Sequence, residues 1–217
     1  DKQISRCIGK DEFYIRNLRK RMNIIPKVKQ IDTLAAEWPA KTNYLYLTYG
    51  GNSDDIEYSS TRGIIVLGAG AYHIGSSVEF DWSTMNMVWA LKENGLGEVI
   101  VINCNPETVS TDYDMSDRLY FEELTLERVL DIYEKERPEG MVTCVGGQVA
   151  NNLIPKMALS GVKILGTDSA NVDKAEDRSK FSSLLDNLKI PQPSWRAFTS
   201  IEDSYTFGKS EGYPLLV

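Results

Sequence analysis

Gly68 and Gly70 end the apolar run of GIIVLGAGAYHIGSSVEFD, residues 63–81, and behind them come His73, Gly75, Glu79 and Asp81. Paired glycines between a strand and a helix build phosphate loops. The first allows a tight turn, the second lets backbone approach a pyrophosphate, and a third at G-x-G-x-x-G spacing lets helix and strand pack closely. Here His73 stands at the third position and the next glycine is Gly75. Glu79 and Asp81 would also set negative charge in the first helical turn, which suits the helix dipole and repels an anionic ligand. The loop has the outline of a nucleotide site without obvious chemistry for NAD.

A second candidate is NCNPETVSTDYD, residues 103–114, where Asn103, Asn105, Glu107, Thr108, Ser110 and Thr111 offer amides, a carboxylate and hydroxyls with no regular element to absorb them. Such a loop can recognise a small polar ligand. It can equally be a turn in which Asn and Ser cap backbone groups and Pro106 fixes a bend, and on the residues alone both readings stand. Gly146, Gly147 and Gln148 of VGGQVANN form a third loop, whose glycines also fit a plain turn. Farther on, DKAEDRSKFSSLLDNL is expected to be one helix, opened by a capping box of Asp173 and Glu176 and burying Phe181, Leu184, Leu185 and Leu188. Arg178 falls at the border of that face, with Lys174, Ala175, Phe181 and Ser182 as helical neighbours and no acidic partner among them. A free planar guanidinium suits phosphate or carboxylate, although pairing with a distant acid would serve as well. Cys7, Cys104, Cys144 and the single His73 are too scattered for a zinc site or an even disulfide set. Reduced, buried thiols are expected.

Four short apolar runs must carry these loops: strands are expected at 64–67, 99–103, 141–145 and 162–165. Helices are expected at 77–94, with Val78, Trp82, Met85 and Trp89 at helical spacing, at 126–136 and at 150–159. This alternation predicts an α/β fold with a doubly wound parallel sheet and right-handed crossovers. The loops at 68–75, 103–111 and 146–152 then each follow the carboxyl end of a strand, where open α/β sheets hold ligands.

With 217 residues, 42% of them hydrophobic, the chain can bury one substantial core and a smaller satellite. No apolar run approaches the roughly 20 residues that span a bilayer, and the first residues do not read as a signal peptide, so a soluble cytoplasmic protein is expected. The formal charge of −7 is uneven. Residues 1–30 hold nine Lys or Arg against three Asp or Glu, a balance of +6 that leaves −13 for the remainder. Two helices about Gly9, the second with Ile15, Leu18 and Met22 on one face and Arg16, Arg19, Lys20 and Arg21 among its residues, make a passable helix-turn-helix. Docking of that basic helix on an acidic neighbour is the favoured alternative. Residues 28–49 read as a short apolar helix, a stop at Pro39 and an aromatic strand-like run; 50–63 read as a linker, with a new unit starting near Thr61. After a helix near 201–210, the chain is expected to turn at Gly212 into an apolar strand.

Taken in order, IGSSVEFDW, NPETVSTDYDMSDRLYFEELTLERVLDIY, VGGQVANNL, ILGT, AEDRSKFSSLLD and GYPLLV resemble the large synthetase component of carbamoyl phosphate synthetase over essentially the whole chain. The long NPETVSTD segment makes the resemblance specific. It implies a duplicated ATP-grasp enzyme, and NPETVSTD with the preceding IDTLAAEWPAKTNYLYLTY is similar to the junction leading into the second, carbamate-phosphorylating half. Residues 1–60 would close an inter-half helical, oligomerisation-type domain with its linker. Residues 61–172 would form the Rossmann-like pre-ATP-grasp domain, and 173–217 the first part of an ATP-grasp domain.

The reaction implied runs from bicarbonate and ATP to carboxyphosphate, with ammonia to carbamate, and with a second ATP to carbamoyl phosphate. Partners implied are the rest of the synthetase and a glutaminase domain or subunit, with a homo-oligomer in scope and neither nucleic acid nor membrane. Glu79 and Glu107 match glutamates that line the family's internal carbamate passage, where a carboxylate accepts hydrogen bonds from an amino group; for Glu79 a dipole-capping role stays open. Arg178 matches an arginine that touches ATP. ATP with Mg²⁺ would serve the full enzyme, but a second arginine and the metal-binding residues are not among these 217, so neither cofactor binding nor activity is expected of them alone. His73 stands where relatives often have arginine. EWPA and TDYDM resemble the multifunctional pyrimidine-pathway proteins more than the urea-cycle enzyme, with arginine synthesis also in scope.

Two rivals are a helix-turn-helix DNA-binding protein and another pre-ATP-grasp ligase, such as biotin carboxylase or glycinamide ribonucleotide synthetase. The ligases would not account for NPETVSTDYD or the upstream segment. For the DNA rival, a filter-binding titration at low and moderate salt decides: no retention is expected, whereas salt-sensitive retention through Arg16 to Arg21 would support it.

Overall fold

The computed structural model describes residues 1–59, 62–70 and 78–216, and these form two compact units, Asp1–Asp168 and Ser169–Val217. His73 and Gly75 lie outside the described residues. The first unit is built on a seven-stranded sheet of β1 (Lys27–Gln30), β2 (Tyr44–Thr48), β3 (Ile64–Leu67), β4 (Val99–Ile102), β5 (Arg118–Tyr120), β6 (Gly140–Val142) and β7 (Ile164–Leu165). Its order is β1-β2-β5-β4-β3-β6-β7, with β1 antiparallel to β2 and every other neighbouring pair parallel. β3 and β4 are the apolar runs IIVL and VIVI, and all eight of their residues are buried, as strands covered on both faces must be.

The four expected strands are present: β3 has its expected bounds, β4 and β7 are shorter than expected, and β6 starts one residue early and ends three early; α4 (Leu126–Glu136) also has its expected bounds. α3 (Glu79–Glu93) starts two residues late. It buries Asp81, Thr84, Met85, Val88 and Leu91, so of the expected row Val78, Trp82, Met85 and Trp89 only Met85 faces the core. Trp82 is 62% exposed and meets Trp89 edge to face, ring centroids 5.7 Å apart. The stripe that packs on the sheet is Met85, Val88 and Leu91, not the row that carries the tryptophans. The helix expected at 150–159 is two, α5 (Gln148–Asn151) and α6 (Ile154–Leu159), the second with a proline in its first turn.

Residues before 60 depart most from expectation. β1 and β2 extend the main sheet, and the short apolar helix expected after Val28 is a strand followed by a turn. There Asp32 accepts the Leu34 and Ala36 amides at 2.9 and 2.6 Å, and Ala35 and Ala36 take positive φ. Local side-chain capping outcompetes the helix. Nor does the expected linker run free. Asp54 accepts from the Val28 amide at 2.8 Å, from Lys135 Nζ at 2.9 Å and from the Tyr58 hydroxyl at 2.9 Å, while Asp55 takes Lys29 Nζ at 2.6 Å. The compact units divide after Asp168.

α1 (Lys2–Ile8) and α2 (Glu12–Arg21) flank Gly9 as expected, yet Leu18 and Met22 are exposed and only Ile15 of the proposed apolar face is buried. Arg16 and Arg19 are buried instead. Arg16 donates to Asp131 of α4 at 2.7 Å, Arg19 donates to the same carboxylate at 3.0 Å, and Lys20 pairs with Glu134 at 2.8 Å. The basic helix docks on an acidic neighbour, which withdraws two of the four cations a DNA-reading helix would present. The thiols differ from expectation in burial: Cys7 and Cys144 are exposed and Cys104 is half-buried, and none of the three is in a disulfide.

In the second unit the single expected helix is interrupted. α7 (Ser169–Glu176) contains Asp173 and Glu176, so neither forms the expected capping box. Asp177 leaves helical geometry at φ −82°, ψ 113° and caps α8 (Arg178–Asn187) by accepting the Lys180 amide at 2.9 Å. Phe181, Leu184 and Leu188, expected inside, are exposed within this unit. α9 (Ile201–Glu211) follows, capped by Ser200, and no strand forms at 213–216 among the described residues.

The Asp54 contacts carry a pH signature. Burial pulls its carboxyl upward, but hydrogen bonds from Lys135, the Val28 amide and Tyr58 outweigh it and hold the pKa below its ordinary value. A depressed folded pKa gives stability that is present above the unfolded value of about 4 and lost as pH falls through the folded one. Asp54→Asn should therefore lower the urea midpoint at pH 7, and the gap from the parent should close below about pH 4; a gap that persists at low pH would show that charge plays no part.

Candidate functional site

β4, β3 and β6 lie side by side and parallel, so the loops that follow them share the carboxyl edge of the sheet. From β3 the chain moves outward through β4 to β5, then returns to the other side of β3 as β6. That reversal is the place where doubly wound sheets bind ligands. Gly68, Gly70, Gly146 and Gly147 are all buried there.

The packing is close enough to explain the glycines. A Cβ on Gly146 would lie 2.4 Å from the Gly68 carbonyl oxygen and 2.6 Å from that of Leu67; one on Gly68 would sit 2.7 Å from Asn103 Nδ2. Gly147, at φ 75°, faces the Phe80 ring, 2.8 Å from where a Cβ would be. The crevice floor between β3 and β6 is thus filled by backbone.

Asn103, at the end of β4, is fully buried and joins two of the loops. Its Oδ1 accepts from the Gly70 amide at 3.1 Å and the Asn105 amide at 3.2 Å, while its Nδ2 donates to Ser110 Oγ at 3.1 Å. Ser110, also fully buried, belongs to a 3₁₀ turn, Val109–Thr111, and its amide donates to both carboxylate oxygens of Asp81 at 3.4 Å. Asn105 Oδ1 accepts the Glu107 amide at 3.0 Å, and Thr111 Oγ1 donates to the Thr108 carbonyl at 2.8 Å. Asn105 and Thr108 are half-buried, whereas Glu107 is exposed. The NPET loop is therefore both things its residues allowed: a self-capped turn at its base, with a carboxylate left at its crest.

α3 begins at Glu79, so Glu79 and Asp81 do occupy the first turn as expected. Glu79 is exposed, and Asp81 is buried against Ser110. Gln148 starts α5 and is exposed, its Nε2 donating to Asn152 Oδ1 at 3.1 Å. The reading that Asn and Ser of the NPET loop cap backbone groups holds at Asn103, which accepts the Gly70 and Asn105 amides, and Asp81, expected as a charge in the first turn, accepts the Ser110 amide. Gly75 lies outside the described residues.

Arg178 belongs to the second unit. It opens α8 and is exposed, without an ion pair among the described residues. Its expected mid-helix setting is corrected by the Asp177 cap, which puts it in a helix first turn. Among the described residues no group of three or more His, Cys, Asp or Glu could hold a metal ion, and no helix is long and apolar enough to cross a membrane.

Away from this edge, a cleft of about 580 Å³ is lined by residues that precede β3 and β6, among them Tyr58, Arg62, Glu136 and Arg137. Its buried polar centre is structural: burial raises the Glu136 carboxyl, Tyr120 donates its hydroxyl to it, and Arg118 NH1 reaches it at 2.5 Å.

The glycine contacts give a direct check on the crevice. Gly146→Ala should cost about 1–3 kcal/mol or more, because the obstructing atoms are backbone. Gly161→Ala meets nothing within 4 Å and has only its φ of 80° to accommodate, so a cost of about 1–2 kcal/mol is expected there. Urea denaturation measures both, and equal, small losses would mean that the crevice is looser than these contacts require.

Comparison with known proteins agrees with this architecture. Residues 60–174 match the family described as carbamoyl phosphate synthase preATP-grasp domain. The chain is 54% identical over its whole length to rat mitochondrial carbamoyl-phosphate synthase [ammonia], of which it covers 14%. It is 56% identical over 93% of its length to the carbamoyl phosphate synthase large chain of Pyrococcus furiosus, covering 19% of that protein, and 51% identical throughout to the multifunctional protein URA2 of Saccharomyces cerevisiae, covering 10%. Ammonia-type and multifunctional relatives thus lie within a few per cent of each other. The biotin carboxylase domain of Hydrogenobacter thermophilus 2-oxoglutarate carboxylase, solved with MgADP and bicarbonate, superposes with a TM-score of 0.52 at 16% identity, over 72% of this chain and 34% of that one, a likeness of fold. With more than half of its residues inside the family match, the chain belongs to the carbamoyl phosphate synthase family of ligases and carries its pre-ATP-grasp domain.

Proposed function

We propose that the chain is a part of the carbamate-phosphorylating half of a carbamoyl phosphate synthetase, and that its carboxyl-edge loops line a stretch of the passage that carries carbamate. The observation that carries this reading is the pairing of a closed crevice floor with exposed carboxylates at its rim: Gly146 packs on Gly68, while Glu79 and Glu107 face solvent from α3 and the NPET loop. A nucleotide's phosphates need an open glycine cradle and positive potential, and among the described residues of this edge Gly146 packs on Gly68 and the exposed charges at Glu79 and Glu107 are negative. Exposed carboxylates held on a buried hydrogen-bonded base can accept hydrogen bonds from the amino group of carbamate or from ammonia.

ATP would supply the phosphoryl group to carbamate in the complete site. Arg178 suits a role there, since an unpaired guanidinium in the first turn of a helix adds to the partial positive charge of the helix end and can reach a phosphate oxygen. Mg²⁺ would need ligands from elsewhere in the enzyme. The 217 residues alone should therefore be inactive, and the relatives' much greater lengths, of which this chain covers 10–19%, leave room for the remaining machinery and a glutaminase partner.

In a full-length synthetase containing this segment, Glu107→Ala should lower overall carbamoyl phosphate synthesis while bicarbonate-dependent ATP hydrolysis survives, and Arg178→Ala should raise the ATP concentration needed for carbamate phosphorylation. Isotopic assay of the partial reactions separates the two steps. Equal loss of both activities in Glu107→Ala would remove the conduit role, and unchanged kinetics in Arg178→Ala would remove that residue from the nucleotide site.

A further inference from the structure

The place of Glu107 relative to α3 is set through the 3₁₀ turn that follows it, Val109–Thr111. Asn103 and Ser110 are seven residues apart and joined by a side-chain hydrogen bond at 3.1 Å, so the segment between them is a closed ring with Glu107 on its far side. A buried hydrogen bond ties this ring to α3: the Ser110 amide donates to the Asp81 carboxylate, two residues beyond Glu79. All three residues are at least 94% buried, where an unmade hydrogen bond carries its full desolvation cost.

We infer that Ser110 is a positioning residue: its hydroxyl closes the Glu107 ring on Asn103 and its amide sets that ring on the first turn of α3, which fixes Glu107 relative to Glu79. The inference rests on the passage reading above. Removal of the hydroxyl leaves Asn103 Nδ2 without this acceptor. Asn103 then has reason to turn, and the amides of Gly70 and Asn105 lose the oxygen that holds them. The strand core beneath uses none of these groups.

The test uses a full-length synthetase containing this segment, with Ser110→Ala and, should that variant fold poorly, Ser110→Cys, which keeps the volume but offers a weak acceptor. Two quantities are read: ATP consumed per carbamoyl phosphate released, and amide hydrogen exchange at Gly70 and Asn105 against that of β4. Expected are a severalfold rise in the ATP ratio, with bicarbonate-dependent hydrolysis retained, and exchange at the two amides faster by roughly tenfold, the order set by one lost buried hydrogen bond. A ratio that stays at the parent value, or a parallel fall of every partial reaction along with Tm, overturns the inference. If Glu107→Ala raises the ratio and neither Ser110 variant does, positioning fails and the passage stands; if none of them raises it, the passage reading falls and the inference with it.

Discussion

The side-chain amide of Asn103 is buried away from water, and the shape of the ligand edge follows from how its hydrogen bonds are met. An amide transferred from water to an apolar interior without partners costs about 2–7 kcal/mol, depending on the reference state. That cost makes the arrangement nearly obligatory. Oδ1 must find donors and takes the Gly70 and Asn105 amides, so the loops after β3 and β4 are tied at their roots. Nδ2 must find an acceptor and takes Ser110, which bends the NPET segment back on itself. Gly68 then has no Cβ because the Asn103 side chain occupies that space.

A second constraint acts on the opposite flank of the unit. Arg16 and Arg19 converge on Asp131, with all three side chains at least 90% buried. A buried carboxylate between two guanidiniums is a poor source of net stability compared with apolar packing, but loss of one partner is severe, about 3–5 kcal/mol, because a charge is left uncompensated. The consequence is a fixed seat for α2 on α4. Charge that looked like a nucleic-acid arm along the sequence is internal counter-charge once folded, and the acidic excess of the remaining residues is in part its complement.

The central fold was legible because β3 and β4 are uninterrupted apolar runs, a pattern that only strands buried on both faces require. α4 was legible for the complementary reason, an amphipathic pattern opened by the Thr125 cap. β2 was legible as an aromatic strand-like run, but β1 and β5 were not. KVKQ and RLY are too short for periodicity to speak, and their strand character comes from neighbours: β5 forms between β4 and β2, and β1 pairs with β2 in register Val28 to Leu47. α3 shows the same limit from another side. Its two tryptophans face outward, because Met85, Val88 and Leu91 fill the core side and Asp81 holds the Ser110 amide there. At the site, the glycines and the two glutamates could be picked from the sequence. Which carboxylate turned inward could not, since nothing about Asp81 distinguishes it from Glu79 until the Ser110 amide arrives.

That division between Asp81 and Glu79 sets the charge balance at this helix end. A helix N-terminus favours an anion by about 0.3–1 kcal/mol at an exposed site. A carboxylate about 4 Å from a phosphate charge opposes it by about 4 kcal/mol at an effective dielectric of 20. With both acids in the first turn of α3 the repulsion exceeds the dipole several-fold, so the topology of a phosphate site survives here with its preference reversed. Asp81 is occupied by a backbone amide and serves the fold, whereas Glu79 is exposed. A ligand that can donate hydrogen bonds meets an acceptor at this edge, whereas one that needs donors finds those of Gly70, Asn105 and Ser110 already engaged by Asn103 and Asp81.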